Sequence, residues 1–93
     1  MRTKISLSGD KEELVAMYQG YELLHEARVS GGVEYAFVMP KASPASTMAA
    51  ADSLTKQARE KFGERRVGGS YITHIEGRVV FVIILGTNLI AVK

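Results

Sequence analysis

Cysteine and tryptophan are absent from this chain, and histidine and proline occur only twice each. Without cysteine there is no disulfide, no thiolate nucleophile and no cysteine-ligated metal. A reducing, cytoplasmic setting is expected. The two histidines, His25 and His74, fall in separate strand-like segments without the spacing a metal site needs, so no metal or other cofactor is expected. No serine stands in a nucleophile-elbow context, and no carboxylate pairs with a base in a recognisable pattern, which argues against an enzyme. Gly68-Gly69-Ser70 precedes a strand, whereas a phosphate cradle needs a helix N-terminus behind it. Long apolar runs are also missing. Met1-Arg2-Thr3-Lys4 leads into a mixed segment instead of a secretory apolar stretch. The richest apolar segment, 79–92, falls short of the ~20 residues of a spanning helix and is broken by Gly86, Thr87 and Asn88.

The 93 residues fit one domain, 1–93, with 46% apolar and 24% charged residues, a balance that excludes disorder. Glycines and prolines fall between periodic segments, so the elements are well bounded. Arg2–Ser8 alternates as a strand. Asp10 reads as an N-cap with Glu13 three positions on, opening a helix that runs to Gly20. Tyr21–Ser30 and Val33–Pro40 form a hairpin about Gly31-Gly32. Its first arm sets Tyr21, Leu23, His25, Ala27 and Val29 on one face and Glu22, Leu24, Glu26 and Arg28 on the other. Ser43-Pro44 opens a second helix with a buried stripe of Met48, Ala51, Leu54 or Thr55, Ala58 and Phe62, closed by Gly63. Ser70–Ile75 and Val79–Leu85 make a second hairpin about Glu76-Gly77, and Leu89–Val92 adds a short last strand. No internal repeat is evident. The order predicts an α+β fold, a ferredoxin-like βαββαβ sandwich with an additional C-terminal strand and two helices on one face of an antiparallel sheet.

Within that frame, Val79–Leu85 is apolar on both faces. Val80, Val82 and Ile84 line one side; Val79, Phe81, Ile83 and Leu85 line the other. Two helices can cover one face of a sheet. The other face, with Leu24 and Val38 beside Val80, Val82 and Ile84, is expected to meet a partner, because large apolar patches on monomers usually mark interfaces.

Glu34-Tyr35-Ala36-Phe37-Val38-Met39 resembles the third-strand signature of RNA-recognition-motif domains: an aromatic, a small residue, an aromatic, then valine. Glu34 stands where that family prefers glycine, and Pro40 where it carries a final aromatic. The resemblance implies bases stacking on Tyr35 and Phe37. Net charge is only +2, but residues 47–93 carry seven basic and four acidic groups. Lys61, Arg65 and Arg66 are the cations available for phosphate under that reading. Two functions are thus expected in order. The first is a non-enzymatic protein-interaction module, either homo-oligomeric or a small regulator or inhibitor docking on a larger protein. The second is single-stranded RNA or DNA binding through the sheet.

Overall fold

The computed structural model describes residues 2–86, with side chains described from Gly9 onward. The elements are α1 (Arg2–Met17), β1 (Glu22–Val29), β2 (Gly32–Val38), α2 (Pro44–Phe62), β3 (Val67–Ile75) and β4 (Arg78–Gly86). Two helices and a four-stranded antiparallel sheet in the order β1-β2-β4-β3 make an α+β fold. Neither this order nor the helical start is the ferredoxin-like arrangement expected from the sequence. Arg2–Ser8 belongs to α1 and not to a strand. The alternation from Lys4 to Leu7 spans only four residues, and so short a run cannot separate period 2 from period 3.6. Asp10 consequently lies inside a helix instead of capping one. The expected strand Leu89–Val92 lies outside the described residues. Among those described, no helix is long and apolar enough to cross a membrane.

Local chemistry accounts for α2 and the hairpins. The Ser43 hydroxyl accepts the Ser46 N–H at 3.1 Å, and Pro44 follows in the first turn, where its missing N–H costs nothing. Arg59 and Lys61 sit in the last turn, where cations suit the helix dipole. Glu76 (φ 52) and Gly77 (φ 80) both adopt positive φ, the requirement of a two-residue turn matched to strand twist.

Both helices cover one face of the sheet. Leu14 from α1 and Tyr18 from the turn after it, with Ala51, Leu54 and Ala58 from α2, pack on Val33, Tyr35 and Phe37 of β2 and on Phe81, Ile83 and Leu85 of β4. The Tyr18 ring meets Phe37 edge-on at 5.1 Å, and its hydroxyl donates to the Leu54 carbonyl at 2.6 Å. That bond satisfies a polar atom which burial would otherwise penalise. Thr55, the one buried polar residue of α2, bonds the Ala51 carbonyl and the Ser70 hydroxyl of β3. The expected Met48 is exposed instead, since it lies a full turn before the stripe reaches the sheet.

The strand order is symmetric about its centre. The described residues form two αββ halves, each helix followed by a four-residue turn, 18–21 and 63–66. A shift of 46 residues carries Val29 and Gly32, which flank the first turn, onto Ile75 and Arg78, which flank the second. The same shift carries Ala36 onto Val82, and these two residues pair with each other. An approximate twofold axis normal to the sheet therefore passes between them. Sequence identity across the halves is nearly erased: Gly31 matches Gly77 and Val33 matches Val79, while Tyr35 matches Phe81 only in kind. The repeat is written in the hydrogen-bond register, where residue identity does not show it.

Candidate interaction surface

Alternation from the core residues sends Ala36 and Val38 of β2, and Val80, Val82 and Ile84 of β4, to the face opposite the helices. On β3 this face carries Tyr71, Thr73 and Ile75. On β1 a register shift between Leu23 and His25 changes the expected faces. Leu23, Glu26 and Arg28 lie on the helix side, while His25, Ala27 and Val29 lie on the outer side, as one extra residue in a strand reverses everything beyond it. Leu24, at the bulge, packs against Ala36, Val80 and Val82 on the outer face. The five residues expected at an interface, Leu24, Val38, Val80, Val82 and Ile84, are thus brought together on the face opposite α1 and α2.

Their exposures differ from the expectation of an open ribbon. Val80 is 0% and Val82 2% exposed in the single chain, with Ala36 also buried. Leu24 and Ile75 close over them as a satellite cluster. These two valines therefore offer no free surface. Leu24, Val38 and Ile84 are half-buried, and Tyr71 is 50% exposed. Charged groups flank the apolar strip: His25 Nε2 stands 3.5 Å from Glu34 Oε2, and Arg78 faces Glu22 at 3.9 Å.

The residues expected to hold nucleic acid are not brought together. Tyr35 is 2% and Phe37 0% exposed, both on the helix-covered face. Bases cannot stack on rings that already pack beneath α1. Burial pushes the Tyr18 phenol well above its ordinary range. Burial first, then Asp10 and Glu26 with Arg66 opposing, pushes Tyr35 up to about 12. The sequence pattern was met by core packing, since aromatic alternation serves a strand facing helices equally well.

Arg66 is likewise occupied. Its guanidinium donates to the Gly86 carbonyl through Nε (3.0 Å) and Nη2 (2.8 Å), and it forks onto both carboxylate oxygens of Asp10. It also lies 5.5 Å over the Phe62 ring. The side chains are 17% and 13% exposed, so this is a largely shielded pair joining α1, the α2–β3 turn and the end of β4. Lys61 pairs with Glu13 across the helices at 3.3 Å, half-exposed. Arg65 is exposed on the same turn. The clasp between residues 56 positions apart was missed by sequence reading, for no local motif announces it.

A shallow depression of about 530 Å³ between α2 and β3 is lined by Asp52, Lys56, Arg59, Glu60 and Glu64 around the Thr55–Ser70 bond. Its charges are of mixed sign, and nothing converges within it as a nucleophile and base would. His25 and His74 sit on the two opposite edge strands, and no described group of histidines and carboxylates is arranged to hold a metal ion. No protein-family model matches the chain, and no match is found among curated proteins or solved structures.

Proposed function

We propose that this chain is a non-enzymatic protein-interaction module of the cytoplasm, binding a second copy of itself or docking on a larger protein. The observation that supports this reading is the sheet face opposite α1 and α2, where Leu24, Val38, Ile84 and the half-exposed Tyr71 rim a buried apolar centre. An apolar surface of this kind, edged by polar residues, is the usual mark of a protein contact. The nucleic-acid alternative lacks comparable support, because both aromatics it requires lie under the helices and Arg66 is engaged with Asp10.

Light scattering with and without a short single-stranded RNA tests the reading. The expected result is a mass above the 10.1 kDa of one chain without nucleic acid, and no change when RNA is added. A single-chain mass that rises only with RNA, and falls back steeply as salt increases, would refute it.

A further inference from the structure

The two edges of the sheet are unlike. β1 carries Glu22, Glu26 and Arg28, charges that discourage another strand from pairing there. β3 is nine residues long, Val-Gly-Gly-Ser-Tyr-Ile-Thr-His-Ile, without one Asp, Glu, Lys, Arg or Pro. Natural edge strands are usually blunted by such residues, so a long uncharged edge is a template for strand addition.

The groups this edge presents follow from the register. A two-residue turn makes its flanking pair, Ile75 and Arg78, exchange both backbone hydrogen bonds. The observed bonds agree: Gly86 N–H donates to the Arg66 carbonyl, and Met39 N–H to the Val79 carbonyl. Even-numbered residues of β4 thus face β3, and odd-numbered ones face β2. Alternation then directs the N–H and C=O groups of Ser70, Ile72 and His74 outward. Below Ser70 the ladder is interrupted by the register shift between Val67 and Gly69, which limits regular pairing to the stretch from Ser70 onward.

Resting on the interaction-module reading, we propose that β3 pairs antiparallel with β3 of a second copy, centred on Tyr71, to form a continuous eight-stranded sheet. A twofold axis normal to the sheet keeps each residue on its own face, so one residue must stand opposite itself. Centring on Tyr71 lets Ser70 and Ile72 of one copy bond Ile72 and Ser70 of the other. It also brings Glu76 of each copy toward the exposed Arg65 in the α2–β3 turn of its partner. Centring on Ile72 would instead bring Arg78 toward the same arginine turn, like charge against like. The charge pattern therefore favours a second copy as the occupant, and centring on Tyr71 over centring on Ile72. Tyr71, half-exposed in the single chain, then stacks beside its own counterpart on the outer face, at the close spacing of a non-hydrogen-bonded pair.

The absence of cysteine supplies a direct test. In Tyr71→Cys the two sulfurs face each other at a Cα separation of about 4.5–5.5 Å, within disulfide range. Mild oxidation is expected to convert most of this variant to a covalent dimer on a non-reducing gel. Ala27→Cys, exposed on the opposite edge, is expected to remain single-chain. Equal cross-linking of the two variants overturns the proposal. For the unaltered protein, amide exchange at Ser70 and Ile72, the two outward-facing positions that pair regularly in this register, is expected to slow at least tenfold between low and high micromolar concentration. Exchange independent of concentration overturns it too. If light scattering gives a dimer while both edge measurements fail, the edge pairing is refuted and the interaction reading stands with the outer face as the contact.

Discussion

Replacing either partner of the Arg66–Asp10 clasp separates a structural arginine from a phosphate-binding one. Arg66→Ala removes two bonds to the Gly86 carbonyl, the fork on Asp10 and the contact over Phe62, and it strands the Asp10 carboxylate at 13% exposure. Breaking a fully buried pair costs ~3–5 kcal/mol, and the solvent still reaching this one lowers the expectation to ~2–4 kcal/mol. Asp10→Asn keeps an acceptor but loses the charge, and is expected to cost ~1–2 kcal/mol. Against a total stability of ~5–10 kcal/mol these are large fractions. Urea unfolding should show a lower midpoint at unchanged slope, and heating should show a melting temperature lowered by ~4–8 °C per kcal/mol. The double variant should cost clearly less than the two single changes together, with a coupling of at least ~1 kcal/mol. Because the pair is shielded, 1 M salt should leave most of that coupling in place, whereas the exposed Lys61–Glu13 pair should contribute little at any salt. An unfolding midpoint for Arg66→Ala within ~0.5 kcal/mol of the parent, accompanied by weakened RNA binding, would refute this account of Arg66.

Three further outcomes follow from the core and the turns. Phe37→Ala should lose ~3–5 kcal/mol and melt early, read by thermal circular dichroism, with no separate effect on nucleic-acid affinity. Glu76→Asn should stabilise by ~0.5–1 kcal/mol in urea unfolding, since φ 52 is unfavourable for glutamate and common for asparagine before glycine. Tyr18 and Tyr35 keep their protons in the folded chain above the pH at which unfolded tyrosine, near 10, releases its own. Their contribution is therefore complete below pH 10 and is lost as pH rises from there through about 12, by about 1.4 kcal/mol per pH unit per tyrosine. Tyr18→Phe should flatten that alkaline slope in pH-dependent urea unfolding.

How much the sequence disclosed depends on the range of the interaction concerned. The α2 boundaries and both hairpins were legible because Ser43-Pro44, Gly63, Gly31 and Glu76-Gly77 act within a few residues of themselves, although the first turn is Ser30-Gly31 and not Gly31-Gly32, since Gly32 already pairs with Val29. The co-facial set Val80, Val82 and Ile84 followed from alternation alone. Arg2–Ser8 was misread because a four-residue pattern carries too little period. The faces of β1 were misassigned because nothing at Leu24 marks a bulge. Tyr35 and Phe37 fit an aromatic strand signature, yet which side of the sheet the helices take is a tertiary outcome. Shielding of Val80 and Val82 by Leu24 and Ile75 belongs to the same class, as does the position of β3 at the edge. The clasp of Asp10 on Arg66 was illegible for want of any local cue.

The symmetric halves have a topological corollary. Each αββ unit closes its own hairpin, and β2 against β4 is the strand seam that joins one unit to the other. In a reciprocal swap, the corresponding strand of a neighbouring molecule would meet this seam in the same register. The tether from Met39 to Ser43, stiffened by Pro40 and followed by Pro44, is the segment about which such an exchange would open. Refolding at high concentration is thus a route to reciprocally swapped dimers that keep every core contact of the single chain.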